Sequence, residues 1–339
     1  MTSSENAEDA GKERRRDAYW DAVKAGLIFL VILGHVVQYV VHHNGAECWT
    51  DPLFKGIYMF HLPLFMLVSG YFAGKSVMER GWQTLSRYAV RLLIPGFTFS
   101  LIFILFCLWK DGGLDRHLIF SSIRKLWFLK ILFCCVFCYT LAMWKKHYLW
   151  RSVFLLLPLA GCLFPELRQS GKMFFYLWPF FLMGAALRHG GITSASLSGY
   201  WFLFLPASVM AYFLFLPGDY VYHTPLAPDI MSIRTTLLRT LYAMAGCGAF
   251  LVLMRMGRHL GHLRAVQRVG RATLALYVLQ AFLFEPAFVD WEKAGLKPGV
   301  PACVLLALAI LIFCYLLYAV TGRSRLFSQL FYGERGSGK

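Results

Sequence analysis

Runs of about 17 to 23 apolar residues, each long enough to carry a helix across about 30 Å of hydrocarbon, alternate with short polar segments along this chain. They fall near residues 23–41, 54–73, 88–109, 126–144, 149–165, 173–189, 199–217, 235–256, 272–289 and 301–320. The pattern predicts an all-α integral membrane protein, a polytopic bundle of about ten transmembrane helices. The fifth run is short and holds both Pro158 and Pro165. Residues 1–16 are polar and read as a disordered cytoplasmic tail. A membrane domain is expected over 17–322 and a second cytoplasmic tail over 323–339. No cleavable signal peptide is apparent, because the first run is too long for a signal core and no small-residue cleavage site follows it.

Polar residues inside the first two runs carry the functional signal. Lys24 and His35 stand eleven positions apart, which is three turns plus about 20°, so both project from one face about 16 Å apart. Asp17, Asp21, Gln38 and His42 fall within about 60° of His35 on the same face. An ionisable group in hydrocarbon is costly, so a midspan histidine is a functional candidate. The second run, FKGIYMFHLPLFMLVSGYFA, places His61 about half way through a span of opposite direction. The two imidazoles are therefore expected at one depth, turned toward one cavity. Pro63 should loosen the helix around His61 by removing a backbone donor. Ser69-Gly70 would let another backbone approach closely.

Composition sharpens this picture. The chain has 339 residues, 58% hydrophobic and 15% charged, with a net charge of +16, which excludes an ordinary soluble domain. Most Lys and Arg fall on the side that holds the N-terminus. The positive-inside rule then puts both termini in the cytoplasm of a multi-pass inner or plasma membrane protein. The charge is mostly topological, and no nucleic-acid surface is implied. Nine cysteines lie almost entirely in apolar runs and imply no disulfide framework. Cys135 and Cys138 lack the second thiol pair or histidine cluster of a metal site, so no metal is expected. Arg87 and Arg91 share a face at the start of the third run. They suit either anchoring to anionic membrane lipid or gripping phosphates that enter from the cytoplasm. Lys130, Arg239 and Glu285 lie toward the outer half, lining an acceptor path or snorkelling to the interface.

Several of these pieces occur in one order: K-x10-H in the first span, FHLPLFMLVSGYF in the second, and R-x3-R with LLIP at the third. LWFL at 126–129 and FFLMGAALR at 180–188 follow. Over about residues 17 to 320 the chain resembles the acyltransferase-3 family, within it single-module sugar O-acetyltransferases of the fucose 4-O-acetylase type. The resemblance implies a ten-helix enzyme that takes acetyl from cytoplasmic acetyl-CoA and places it on a hydroxyl of a cell-surface or lipid-linked glycan. Glycan-assembly proteins are then possible partners. Lys24 matches the basic residue of the family's first-helix motif and His35 its catalytic histidine. His61 falls on the FH-x-P position, Arg87 and Arg91 on the basic residues after the second helix, and Trp127 on the WFL element. In GRATLALYVLQ, where many relatives carry histidine after the tyrosine, this chain has Gln280.

Acyl transfer needs a base for the acceptor proton and a stabiliser for the oxyanion. His35 is the expected general base, with His61 orienting it or polarising the thioester carbonyl. Lys24, Arg87, Arg91 and Trp127 are the expected acetyl-CoA contacts. Direct transfer and an acetyl-enzyme on His35 or Ser69 both remain open. The rival reading is a proton-coupled transporter or exporter, which also uses a polar stripe, midspan histidines and a proline-broken helix.

Overall fold

Each predicted apolar segment contains a helix. The structure, a computed structural model, describes residues 3–111, 113, 116–145, 147–161, 164–191, 199–223, 230–296 and 298–334. Helix α1 spans Ser3–His35 and widens into a π-helix over Val36–Val41. A short 3-10 turn, Ala46–Thr50, leads to α2, Pro52–Tyr58, and α3, His61–Arg80. There follow α4 at Trp82–Asp111, α5 at Arg116–Arg124, α6 at Trp127–Trp144 and α7 at Tyr148–Ala160. Next come α8 at Pro165–His189, α9 at Trp201–Leu214 and α10 at Ile230–Met256. Then α11 at Arg264–Arg271, α12 at Thr273–Phe284, α13 at Val300–Thr321 and α14 at Arg325–Tyr332 complete the order.

Among the described residues, six helical stretches are long and apolar enough to cross a membrane: 18–41, 52–80, 82–110, 127–144, 231–256 and 300–321. The expected ten is not reached on length and composition. Helices α7, α9 and α12 have 13, 14 and 12 residues, and at 1.5 Å per residue each covers only part of the hydrocarbon. Large apolar side chains such as Phe97, Leu105 and Trp109 on α4 and Leu305, Ile312 and Leu316 on α13 face outward. An outward apolar band of this kind belongs against lipid.

Both expected tails differ at the backbone level. α1 begins at Ser3, so the polar leader predicted as disordered continues the first helix. Within the segment read as the second tail, α14 packs on α4, with Tyr332 only 1% exposed. Gly333 ends it at φ +61°, with Arg91 backbone atoms where a Cβ would stand. Between the third and fourth apolar runs the chain forms α5.

The tightest helix pair is α3 with α8. A Cβ on Gly70 would strike the Phe181 carbonyl, and one on Gly184 would strike the Leu67 carbonyl. Small residues let the two backbones touch, and this fixes the helix that begins at His61.

Candidate active site

His35 is the last residue of α1 before the π-helix, the kind of wide turn that often marks a functional position. His61 opens α3. The second span breaks at Met59-Phe60, so Pro63 lies in the first turn of a new helix, where its missing N–H would have had no helical partner in any case. Two carbonyls at the break take side-chain donors in addition to their backbone ones. His61 Nδ1 donates to the Ile57 carbonyl at 2.9 Å, and Cys247 Sγ donates to the Phe60 carbonyl at 3.7 Å.

Both imidazoles line one cavity of about 430 Å³. His35 Nδ1 donates to Gln280 Oε1 at 2.7 Å, and the Gln280 amide nitrogen donates to the Tyr277 carbonyl at 3.1 Å. Each ring thus gives its Nδ1–H to an oxygen, which leaves each Nε2 a bare acceptor.

At one end the wall carries cations. Lys24, Arg91 and Arg271 all line the cavity there. Asp21, 5% exposed, takes Lys24 Nζ at 2.7 Å and Arg271 Nε at 3.0 Å. One buried carboxylate therefore orients two cations and leaves the cluster positive. At the other end Trp49, Tyr58, Tyr39 and Tyr222 form an aromatic mouth. Burial raises the pKa of the Tyr222 hydroxyl, which keeps it a protonated donor. The Tyr58 hydroxyl donates to Gln38 Oε1 at 3.2 Å, while the Gln38 amide donates to Asn44 at 2.7 Å.

Five of the six predicted site residues, Lys24, His35, His61, Arg91 and Trp127, line this cavity together, and Ser69 joins them. Arg87 does not. Its guanidinium turns to its own helix, donating to the Gln83 carbonyl at 3.3 Å and Thr84 Oγ1 at 3.4 Å. His42 is engaged outside the cavity, 3.1 Å from the Asp51 carboxylate that caps α2. Glu285 pairs with Lys125 at 2.6 Å, and Lys130 donates to the Ile123 and Lys125 carbonyls. Arg239 is 1% exposed and lies over the Tyr176 ring, with its centre 5.6 Å away. None of these three lines the cavity. Sequence reasoning missed Arg271, which it counted only as topological charge, and the positioning contacts of Asp21 and Gln280. The available signal was the adjacency of α11 and α12, which carry Arg271, Tyr277 and Gln280 within ten residues. Among the described residues, no group of three His, Cys, Asp or Glu could hold a metal ion.

Fold and cavity together define a multi-pass membrane protein with a pair of proton acceptors, His61 buried and His35 half-buried, and a cationic mouth. The chain belongs to the acyltransferase domain family, whose profile matches residues 17–319. It is 47% identical over 81 residues to the nodulation protein NolL of Sinorhizobium fredii, covering 24% of this chain and 22% of that protein. It is 42% identical over 81 residues to the NolL of Mesorhizobium japonicum, with the same coverage. The matched stretch is thus under a quarter of each relative's length. No solved structure matches.

Proposed function

We propose that this protein is an O-acetyltransferase that uses acetyl-CoA from the cytoplasm and acetylates a hydroxyl of a cell-surface or lipid-linked glycan. Membership of the acyltransferase domain family supports the reaction class. The observation that carries the assignment is the single cavity that joins His35 and His61 to Lys24, Arg91 and Arg271. Clustered ammonium and guanidinium groups suit the phosphates of the donor. With the N-terminus in the cytoplasm, that cationic end faces the cytoplasm and the Trp49 end faces outward, where aromatic rings suit the apolar faces of a sugar.

His35 Nε2 accepts the proton of the acceptor hydroxyl as its oxygen bonds to the thioester carbonyl carbon. When the tetrahedral intermediate collapses, the C–S bond breaks and the imidazolium returns its proton to the departing thiolate, which yields the acetyl ester and free CoA. With its Nδ1–H committed to Ile57, neutral His61 offers the cavity an acceptor. It orients a hydroxyl rather than polarising a carbonyl. Stabilisation of the oxyanion falls to O–H and N–H donors on the wall, of which Tyr277 and Trp127 are available. Glycan-assembly proteins are the expected partners on the acceptor side.

The full chain, purified into lipid nanodiscs, should release thiol from acetyl-CoA and acetylate p-nitrophenyl glycosides. His35→Gln should lower that rate by about 10²- to 10⁴-fold, the usual worth of a general base, with an unchanged melting temperature. Parental turnover in this variant would remove His35 from the chemistry. Mass spectrometry of surface glycans from cells with and without the gene reads the acceptor.

A further inference from the structure

The Gln280 side chain is held at both ends. A backbone carbonyl only accepts, so the end of the amide that meets the Tyr277 carbonyl at 3.1 Å is its nitrogen. That leaves Oε1 facing His35 Nδ1 at 2.7 Å. An amide oxygen cannot donate. His35 must therefore carry a proton on Nδ1, and in the neutral ring Nε2 is bare. Gln280 is 1% exposed, so neither end can exchange its partner for bulk water while α1 and α12 stay packed. The neighbouring rings reinforce the setting, with Phe284 edge-on to His35 at 5.4 Å and Tyr39 at 5.8 Å.

We propose that Gln280 is a positioning residue, which acts through the Tyr277 carbonyl to lock His35 in the Nδ1–H tautomer with Nε2 free for the cavity. The proposal rests on the reading of His35 as the proton acceptor. A carboxylate in this place would also hold the Nδ1 proton, but it would stabilise the imidazolium and so retain the abstracted proton. A neutral amide orients the ring without that trap, so the proton passes on readily to the leaving thiolate. The titratable groups on the cavity wall around His35 are Tyr39 on the π-helix, Tyr58 on α2, His61 on α3 and Tyr277 on α12, with Tyr222 beyond them. Glu285, just beyond α12, is committed to Lys125. Among the described residues, no carboxylate thus competes with the amide.

The test uses the full chain in lipid bilayers with ¹⁵N-labelled histidine. Solid-state NMR separates protonated from bare ring nitrogens, and the difference against His35→Gln identifies the His35 signals. The parent should show Nδ1–H and bare Nε2. Gln280→Leu should move proton population to Nε2 and lower kcat about tenfold or more, with KM for acetyl-CoA unchanged. Gln280→Glu, which keeps an acceptor for the Nδ1 proton but gives up the donor to the Tyr277 carbonyl, should keep the tautomer and move the acid limb of the rate profile up by about one pH unit. An Nε2–H parent, or Gln280→Leu with parental tautomer and kcat, overturns the proposal while leaving the role of His35 intact. Parental turnover in His35→Gln overturns both.

Discussion

The buried Asp21 carboxylate holds the Lys24 ammonium at 2.7 Å, and its second oxygen holds Arg271 Nε at 3.0 Å. α1 and α11 are thereby tied together by one shared anion at the mouth of the cavity. Removing one partner of a buried pair can cost about 3–5 kcal/mol, but Lys24 and Arg271 keep 26% and 67% of their side-chain surface in contact with solvent. Screening cuts the expected loss for Asp21→Asn to about 1–2 kcal/mol, read as a lowered melting temperature.

The cationic wall should act on donor binding rather than on chemistry. Lys24→Gln, Arg91→Gln and Arg271→Gln should each raise KM for acetyl-CoA about tenfold, the worth of one charge-assisted contact, with kcat little changed. Arg87→Gln should leave KM within about twofold, since that guanidinium is spent on its own helix. Steady-state kinetics on the four variants checks the division.

Gly70 and Gly184 set the contact of α3 with α8. Gly70→Val would drive two methyls into the Phe181 carbonyl region, and backbone cannot swing aside as a side chain can. A loss of at least about 3 kcal/mol is expected, the high end of overpacking. It should be visible as a collapse of the monodisperse peak in detergent chromatography.

The C-terminal helix supports the same mouth from behind. Gly333 lies on the Arg91 backbone, and Glu334 accepts from the Tyr318 hydroxyl at 3.0 Å and from Ser328 at 3.3 Å. Ending the chain at Ser324 should lower the melting temperature and raise KM for acetyl-CoA, through loss of backing at Arg91. A truncated protein with parental values for both would show α14 to be dispensable.

How much of this was legible in the sequence depends on distance along the chain. Lys24, His35 and His61 belong to two consecutive apolar spans, so depth and facing followed from rise per residue and from opposite direction. Arg87 and Arg91 could not be told apart, because a spacing of four puts both on one face and only the packing decides which one meets the cavity. Gln280 lies 245 residues from His35, and nothing local to either residue announces the contact. It stood out in the sequence only as the residue present where many relatives carry histidine. A loosening around His61 was expected from Pro63, whereas the structure breaks the span upstream at Met59-Phe60, because proline fits the first turn of a helix. The number of complete spans could not be fixed from apolar runs alone, since a run of 17 apolar residues can contain a helix of only 13.

The π-helix after His35 has one consequence for how this protein can change. Gln38 and Tyr39 lie on this wider turn and reach the cavity along with His35. The wide turn takes up one extra residue, so deleting one within Val36–Val41 would let the segment tighten to an ordinary pitch and change which side chains meet the cavity, while the helix before His35 keeps its phase. A lineage could retarget the outer vestibule by a one-residue indel there while leaving the donor half untouched.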